Sequence, residues 1–176
     1  TGKKILLVEG GGLEPTIESQ GLYEGTVIGD KYLSLDTCRL RYFGGTSNHW
    51  SGVCRTFDEI DFNPRNLFED NKWPIKKIDL DPYLPEALNI LEAPKILPDE
   101  RGFGKNVKLI HFVKSPPVRF KEKYFNNIKN SKNIFLTLNT NCLNFGTKNN
   151  SISHVVLLKK NTKKNIKSKN FILATG

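Results

Sequence analysis

Lys3-Lys4-Ile5-Leu6-Leu7-Val8-Glu9-Gly10-Gly11-Gly12 is the stretch on which the reading of this chain turns. Four apolar residues between two lysines and an acid form the pattern of a short buried strand, and three glycines end it. By itself that is an ordinary strand with a polar end and a glycine turn. Four residues is also the longest apolar run, met again at Val155-Val156-Leu157-Leu158. A membrane span takes about 20 such residues and a secretory h-region about 7–15. Neither is present. The 176 residues amount to about one domain's worth of chain. With 38% hydrophobic and 26% charged residues they have the material for a folded core rather than for disorder. Three widely spaced cysteines, Cys38, Cys54 and Cys142, make neither a disulfide framework nor a metal knuckle. They point to buried free thiols in a reducing compartment, so a cytoplasmic location is expected.

The net charge of +9 is unevenly distributed. Residues 1–100 carry 11 basic and 17 acidic side chains, whereas residues 101–176 carry 16 basic ones and a single acid, Glu122. Fourteen of those 16 are lysines, interleaved with asparagines rather than with arginine and aromatics. Base readout and stacking favour the latter, so the block reads as a solvated face and no nucleic-acid partner is expected.

Seen beside a second feature, the first strand gains meaning. A strand ending in an acid resembles the second strand of a dinucleotide-binding βαβ unit. There the carboxylate accepts hydrogen bonds from ribose hydroxyls, because it is acceptor-only and they are donors. The glycine-rich phosphate loop of such a unit lies about 20 residues upstream. Only eight residues precede Glu9, so on this reading the first strand, loop and helix are expected to be missing. The second feature is Arg41-Tyr42-Phe43-Gly44-Gly45-Thr46-Ser47-Asn48-His49-Trp50-Ser51-Gly52. Two glycines before small polar residues expose several backbone N–H groups, which suits a phosphate.

On these residues the chain resembles the glucose–methanol–choline (GMC) oxidoreductases. The similarity is to the branch of pyranose oxidase, fructose dehydrogenase and gluconate dehydrogenase flavoprotein subunits. Asn71-Lys72-Trp73-Pro74-Ile75, Asp79-Leu80-Asp81-Pro82-Tyr83, Ser115-Pro116-Pro117-Val118-Arg119-Phe120, Asn133-Ile134-Phe135-Leu136 and Phe171-Ile172-Leu173-Ala174-Thr175-Gly176 are similar to that branch in order and spacing. The resemblance implies an α/β fold: a partial FAD/NAD(P)-binding Rossmann-like domain with part of an α+β substrate domain. Residues 1–55 would open the FAD-binding domain, 56–130 would lie on the substrate side, and 131–176 would return to the FAD-binding domain. The first strand is expected in a parallel sheet near 171–174.

The resemblance further implies FAD as cofactor and an alcohol or sugar as small-molecule substrate. Its CH–OH group would be oxidised by hydride transfer to flavin, with the electron acceptor left open. Glu9 would bind the adenosine ribose. Gly44, Gly45 and Thr46 would lie along the pyrophosphate and ribitol, and Asn48 would approach the flavin ring. His49 stands where pyranose-oxidase-like members carry a histidine bonded to the flavin 8α-methyl group, with a ring-packing histidine as the alternative. Cys142 falls on the strand whose backbone touches adenine. The family's catalytic histidine would follow this chain. None of His49, His111 and His154 sits in a matching context, no catalytic residue is assigned, and the isolated chain is expected to be inactive. No metal site is expected. A different class of reading is a non-catalytic basic binding or interaction module.

The remaining segments read directly. Asp81 before Pro82 predicts a helix from 82 to about 92, with Asp81 as its cap and Leu84, Leu88 and Leu91 on one face. Phe120, Tyr124 and Ile128 predict a helix over 120–130. Strands follow at 134–138, 152–159 and 165–174, the last two joined by a polar hairpin at 159–164. Residues 13–36 read as irregular, with one short strand near 26–28.

Overall fold

The structure is a computed structural model and describes residues 2–63, 73–102 and 107–175. Asn71, Lys72 and Gly176, quoted above for the resemblance, lie outside the described residues. Helices and strands are mixed along the chain. In order they are β1 (Ile5–Val8), α1 (Ile17–Gly21), α2 (Leu35–Cys38), β2 (Val53–Cys54), α3 (Lys77–Leu80), α4 (Leu84–Ile90), β3 (Glu100–Arg101), β4 (Lys108–Leu109), β5 (Val113–Lys114), α5 (Phe120–Lys129), β6 (Ile134–Thr137), β7 (Asn141–Lys148), β8 (Ser151–Lys159) and β9 (Thr162–Ile166). Short 3₁₀ turns occupy Gly45–Asn48, Glu59–Phe62 and Asp81–Tyr83.

The chain divides into two compact units. One comprises Thr1–His49 and Arg119–Gly176, the other Trp50–Val118. The sequence expectation drew its borders at 55 and 130; α5, which it placed in the middle region, lies within the first unit.

In the first unit β1 and β6 pair in parallel, Ile5 opposite Ile134 and Val8 opposite Thr137. The ladder continues past β1 through the Glu9 N–H to the Thr137 carbonyl at 2.9 Å. A parallel connection needs a long crossover, and 125 residues separate the two strands. The antiparallel sheet β7-β8-β9 is made instead by two tight hairpins. Asn149 and Asn150 have φ of 51° and 56°, and Lys160 and Asn161 have φ of 45° and 61°. Two consecutive left-handed residues match the twist of flanking strands, and asparagine tolerates that conformation better than most side chains do. The core of this unit holds Phe43 and Leu157, both buried, with the Phe125 ring edge-on to Phe43 at 5.9 Å.

Two expectations are corrected here. Residues 171–174 form no strand, and the parallel partner of β1 is β6 rather than this segment. β9 ends at Ile166, opposite Val155. The following Lys167-Ser168-Lys169-Asn170 leaves the ladder for a local bond, Asn170 N–H to Ser168 Oγ at 3.4 Å, as serine readily does. Phe171 then packs edge-on against Phe145, while Ile172 is 91% exposed. Nor is there a strand near 26–28; residues 22–34 carry no regular element.

The second unit is built around Phe62, Val118 and Ser115, all buried. Ser115 donates its hydroxyl to the Leu91 carbonyl at 2.5 Å and its N–H to the Gly52 carbonyl at 2.8 Å. The Trp50 indole donates to the Val118 carbonyl at 2.8 Å. The helix expected over 82–92 is instead a series of short pieces: α3 starts at Lys77, the 3₁₀ turn Asp81–Tyr83 follows, and α4 begins at Leu84, with Asp79 rather than Asp81 accepting at the first of these N-termini. Asp79 accepts the Lys76 N–H at 2.8 Å, while Asp81 pairs with Lys77 one turn back at 2.6 Å. The apolar face of α4, with Leu84, Leu88 and Leu91, lines a cavity of about 290 Å³ shared with Phe57 and Phe62. Beside it Arg55 holds Asp99 with both terminal nitrogens, at 2.8 and 3.0 Å, and Asp58 with one at 2.8 Å.

Candidate nucleotide-binding site

Parallel strands put their carboxyl ends at one edge, and loops that leave that edge meet there. In the first unit these loops are residues 9–12 after β1 and 138–140 after β6. Three backbone bonds weave them together with a third segment, and a fourth closes a turn within it. Thr140 N–H reaches the Glu9 carbonyl at 3.0 Å, and Asn139 N–H reaches the Gly11 carbonyl at 2.8 Å. Phe43 N–H reaches the Gly12 carbonyl at 2.9 Å, and Gly45 N–H the Tyr42 carbonyl at 2.7 Å. The third segment, 39–45, is carried by α1: Gln20 donates to the Asp36 and Arg39 carbonyls at 2.6 and 2.5 Å and accepts the Arg41 N–H at 3.0 Å.

Glu9 sits at the centre of this edge, half-buried. One carboxylate oxygen accepts the Gly11 N–H at 2.7 Å. Among the described residues the other accepts no hydrogen bond. Of the glycines next to Glu9, Gly11 is required by contact with backbone. A Cβ built at Gly11, which is buried, would overlap the Arg41 carbonyl oxygen, and one at Gly10 would meet the Arg41 guanidinium.

The Gly44-Gly45 turn is left-handed at both residues, with φ of 95° and 52°. The two differ in what surrounds them. A Cβ at Gly44 would lie 2.8 Å from Asn48 Nδ2 and 2.9 Å from the Lys121 Cβ, so protein fills that side. At Gly45 the nearest atom would be the Leu40 carbonyl oxygen at 3.9 Å, so that face is open. Thr46 is exposed and its hydroxyl accepts the Leu40 N–H at 3.3 Å. Asn48 is half-buried and turns its amide back to the Phe43 carbonyl at 3.0 Å. His49 is exposed and ends the 3₁₀ turn, its N–H on the Thr46 carbonyl at 3.0 Å. Cys142 is exposed on β7, opposite Leu157.

Glu9 and the Gly44-Gly45 turn are thus tied together through the Gly12–Phe43 bond. Cys142 is joined to them through its neighbour Asn141, whose side-chain oxygen accepts from Arg41 Nη2. No hydrogen bond links Asn48 or His49 to Glu9. Sequence reasoning missed Ser19, Gln20, Arg41 and Asn141 as builders of the site. Only Arg41 carried a signal, its place two residues before the Phe43-Gly44 step; the others are polar residues whose role is a matter of tertiary contact.

Among the described residues no helix is long and apolar enough to cross a membrane, and no group of three or more His, Cys, Asp or Glu could hold a metal ion. No family model, no curated protein and no solved structure matches this chain.

Proposed function

We propose that the chain is the nucleotide-binding part of an FAD-dependent oxidoreductase of the GMC type, acting on the CH–OH group of an alcohol or sugar. The observation that carries the reading is Glu9: a half-buried carboxylate at the carboxyl end of a parallel pair, one oxygen held by Gly11 and the other without a donor among the described residues. A ribose hydroxyl supplies the missing donor. The open face of Gly45 lets backbone approach a diphosphate. Asn48 and His49, at the end of the same turn, are the residues that would lie toward the flavin ring, and the Cys142 backbone would lie toward adenine. FAD, when bound, supplies the hydride acceptor. On this reading the chain's own residues bind and orient, and none of its three histidines is assigned the base.

Titration calorimetry with ADP and then FAD tests the reading. Saturable binding that Glu9→Ala weakens at least about tenfold, the loss of a charge-assisted hydrogen bond of roughly 1.5–3 kcal/mol, supports it. Absence of binding by either ligand overturns it. Acid precipitation of flavin-loaded protein separates the two roles of His49: flavin in the pellet, released by His49→Ala, marks a covalent bond, and flavin in the supernatant marks packing. The alternative of a non-catalytic basic module is favoured by one observation, the exposed Lys159, Lys160, Lys163 and Lys164 around the β8–β9 turn. That module would take up no flavin.

A further inference from the structure

Three separate segments converge on Arg41. Its Nη1 donates to the Gly10 carbonyl at 3.0 Å and to Ser19 Oγ on α1 at 2.8 Å. Its Nη2 donates to Asn141 Oδ1 at the start of β7. Its main chain is held as well, with the N–H on Gln20 Oε1 at 3.0 Å and the carbonyl accepting from Ser19 Oγ at 2.9 Å.

The Gly10 carbonyl belongs to the same peptide plane as the Gly11 N–H. In a trans peptide those two groups point in opposite directions. One end of this plane is gripped by Arg41, and the other holds Glu9 Oε1 at 2.7 Å. A peptide flanked by two glycines is the kind most free to turn as a unit, because neither neighbour has a Cβ to restrict it. Half a turn would bring the Gly10 carbonyl oxygen toward the Glu9 carboxylate and remove the one N–H that orients it. Arg41, anchored on α1 and β7, opposes that turn. A lysine in its place carries the charge on a single nitrogen and cannot grip three acceptors in a fixed plane.

We propose that Arg41 is a positioning residue. It locks the Gly10–Gly11 peptide so that Glu9 presents its second oxygen to a ribose hydroxyl, and through Glu9 it sets the preference for a ribose that carries hydroxyls. The ligand in this statement rests on the nucleotide reading above; the lock does not. The test uses the full chain with Arg41→Lys and, separately, Asn141→Ala, in two arms. In the first, without ligand, NMR follows exchange of the Gly11 amide against the Leu157 amide in the central strand β8. Exchange at Gly11 is expected to quicken about tenfold more than at Leu157, a local opening rather than general loosening. In the second, affinities for ADP and 2′,3′-dideoxy-ADP are compared. Wild type is expected to prefer ADP about tenfold, and the variants to bring the ratio near one, a change that lower stability alone does not produce. Unchanged Gly11 protection in both variants, or an unchanged ADP preference, overturns the proposal. If wild type binds neither nucleotide, the nucleotide reading fails, and the exchange arm decides the lock.

Discussion

Gly11 and Gly45 are both glycines of the candidate site, and physics treats them differently. At Gly11 the obstacle is contact: a methyl group would run into the Arg41 main chain, which cannot swing aside. Gly11→Ala is expected to lower stability by about 1–3 kcal/mol, the range for overpacking a closed site, and, on the proposed nucleotide reading, to abolish ADP binding; urea unfolding and calorimetry measure the two. At Gly45 there is room, and the cost is torsional, because φ is 52°. Gly45→Ala is expected to cost roughly 1–2 kcal/mol. Gly45→Val adds a branch on the open face and, on the proposed nucleotide reading, is expected to abolish flavin binding while the chain still folds. Arg55 and Asp99 give a pH prediction in the second unit. The Arg55 hydrogen bond holds the Asp99 carboxyl below its usual range, and nearby cationic charge acts in the same direction. A depressed carboxyl contributes stability that is full above its ordinary value near 3.9 and is lost as pH falls through the lower folded value. The stability gap between wild type and Asp99→Asn should therefore be present at neutral pH and close only below that ordinary value, as read by unfolding at a series of pH values. Arg55, raised by the same bond, keeps its charge throughout.

Among the elements, the two hairpins of β7-β8-β9 depend on four left-handed residues, three of them asparagine. Asn161→Gly is expected to raise the thermal midpoint, removing about 0.5–1 kcal/mol of left-handed strain, and Lys160→Val to lower it, costing roughly 1–2 kcal/mol of stability because a branched Cβ crowds that conformation. The strands at 134–138 and 152–159 and the helix at 120–130 were legible because their periodicity is carried by their own apolar residues. β7 was not delimited in advance: Asn141-Cys142-Leu143-Asn144-Phe145-Gly146 mixes polar and apolar residues, and register shifts after Cys142 and after Gly146 break its alternation. The segment 171–174 failed in the opposite way. Its composition is that of a buried strand, but a strand exists only beside another, and this segment pairs with none of the described strands.

For the whole molecule the decisive quantity is surface. Ile5, Leu6 and Leu7 of β1 and Phe135 of β6 are open to solvent. Parallel strands are normally covered on both faces, so these residues have the composition of an interior without its cover. Unfolding should therefore uncover less new apolar surface at this pair than at a parallel pair covered on both faces.

The sequence by itself determined the local features whose causes are local: the strand that ends at Glu9, the glycines that stop it, the amphipathic α5, the lysine-rich hairpin and the absence of any long apolar run. It also placed Glu9 and the Gly44-Gly45 turn as residues of interest, from donor and acceptor chemistry and backbone freedom. Only the tertiary structure decided which strand β1 pairs with and that Arg41, Ser19, Gln20 and Asn141 hold the site together. The reason is range. Periodicity and turn chemistry act between near neighbours, whereas the bond from Arg41 to Asn141 spans 100 residues and the pairing of β1 with β6 is just as distant. Such contacts are selected by the closing of the fold, and a polar side chain carries no mark of them until the chain has brought its partner near.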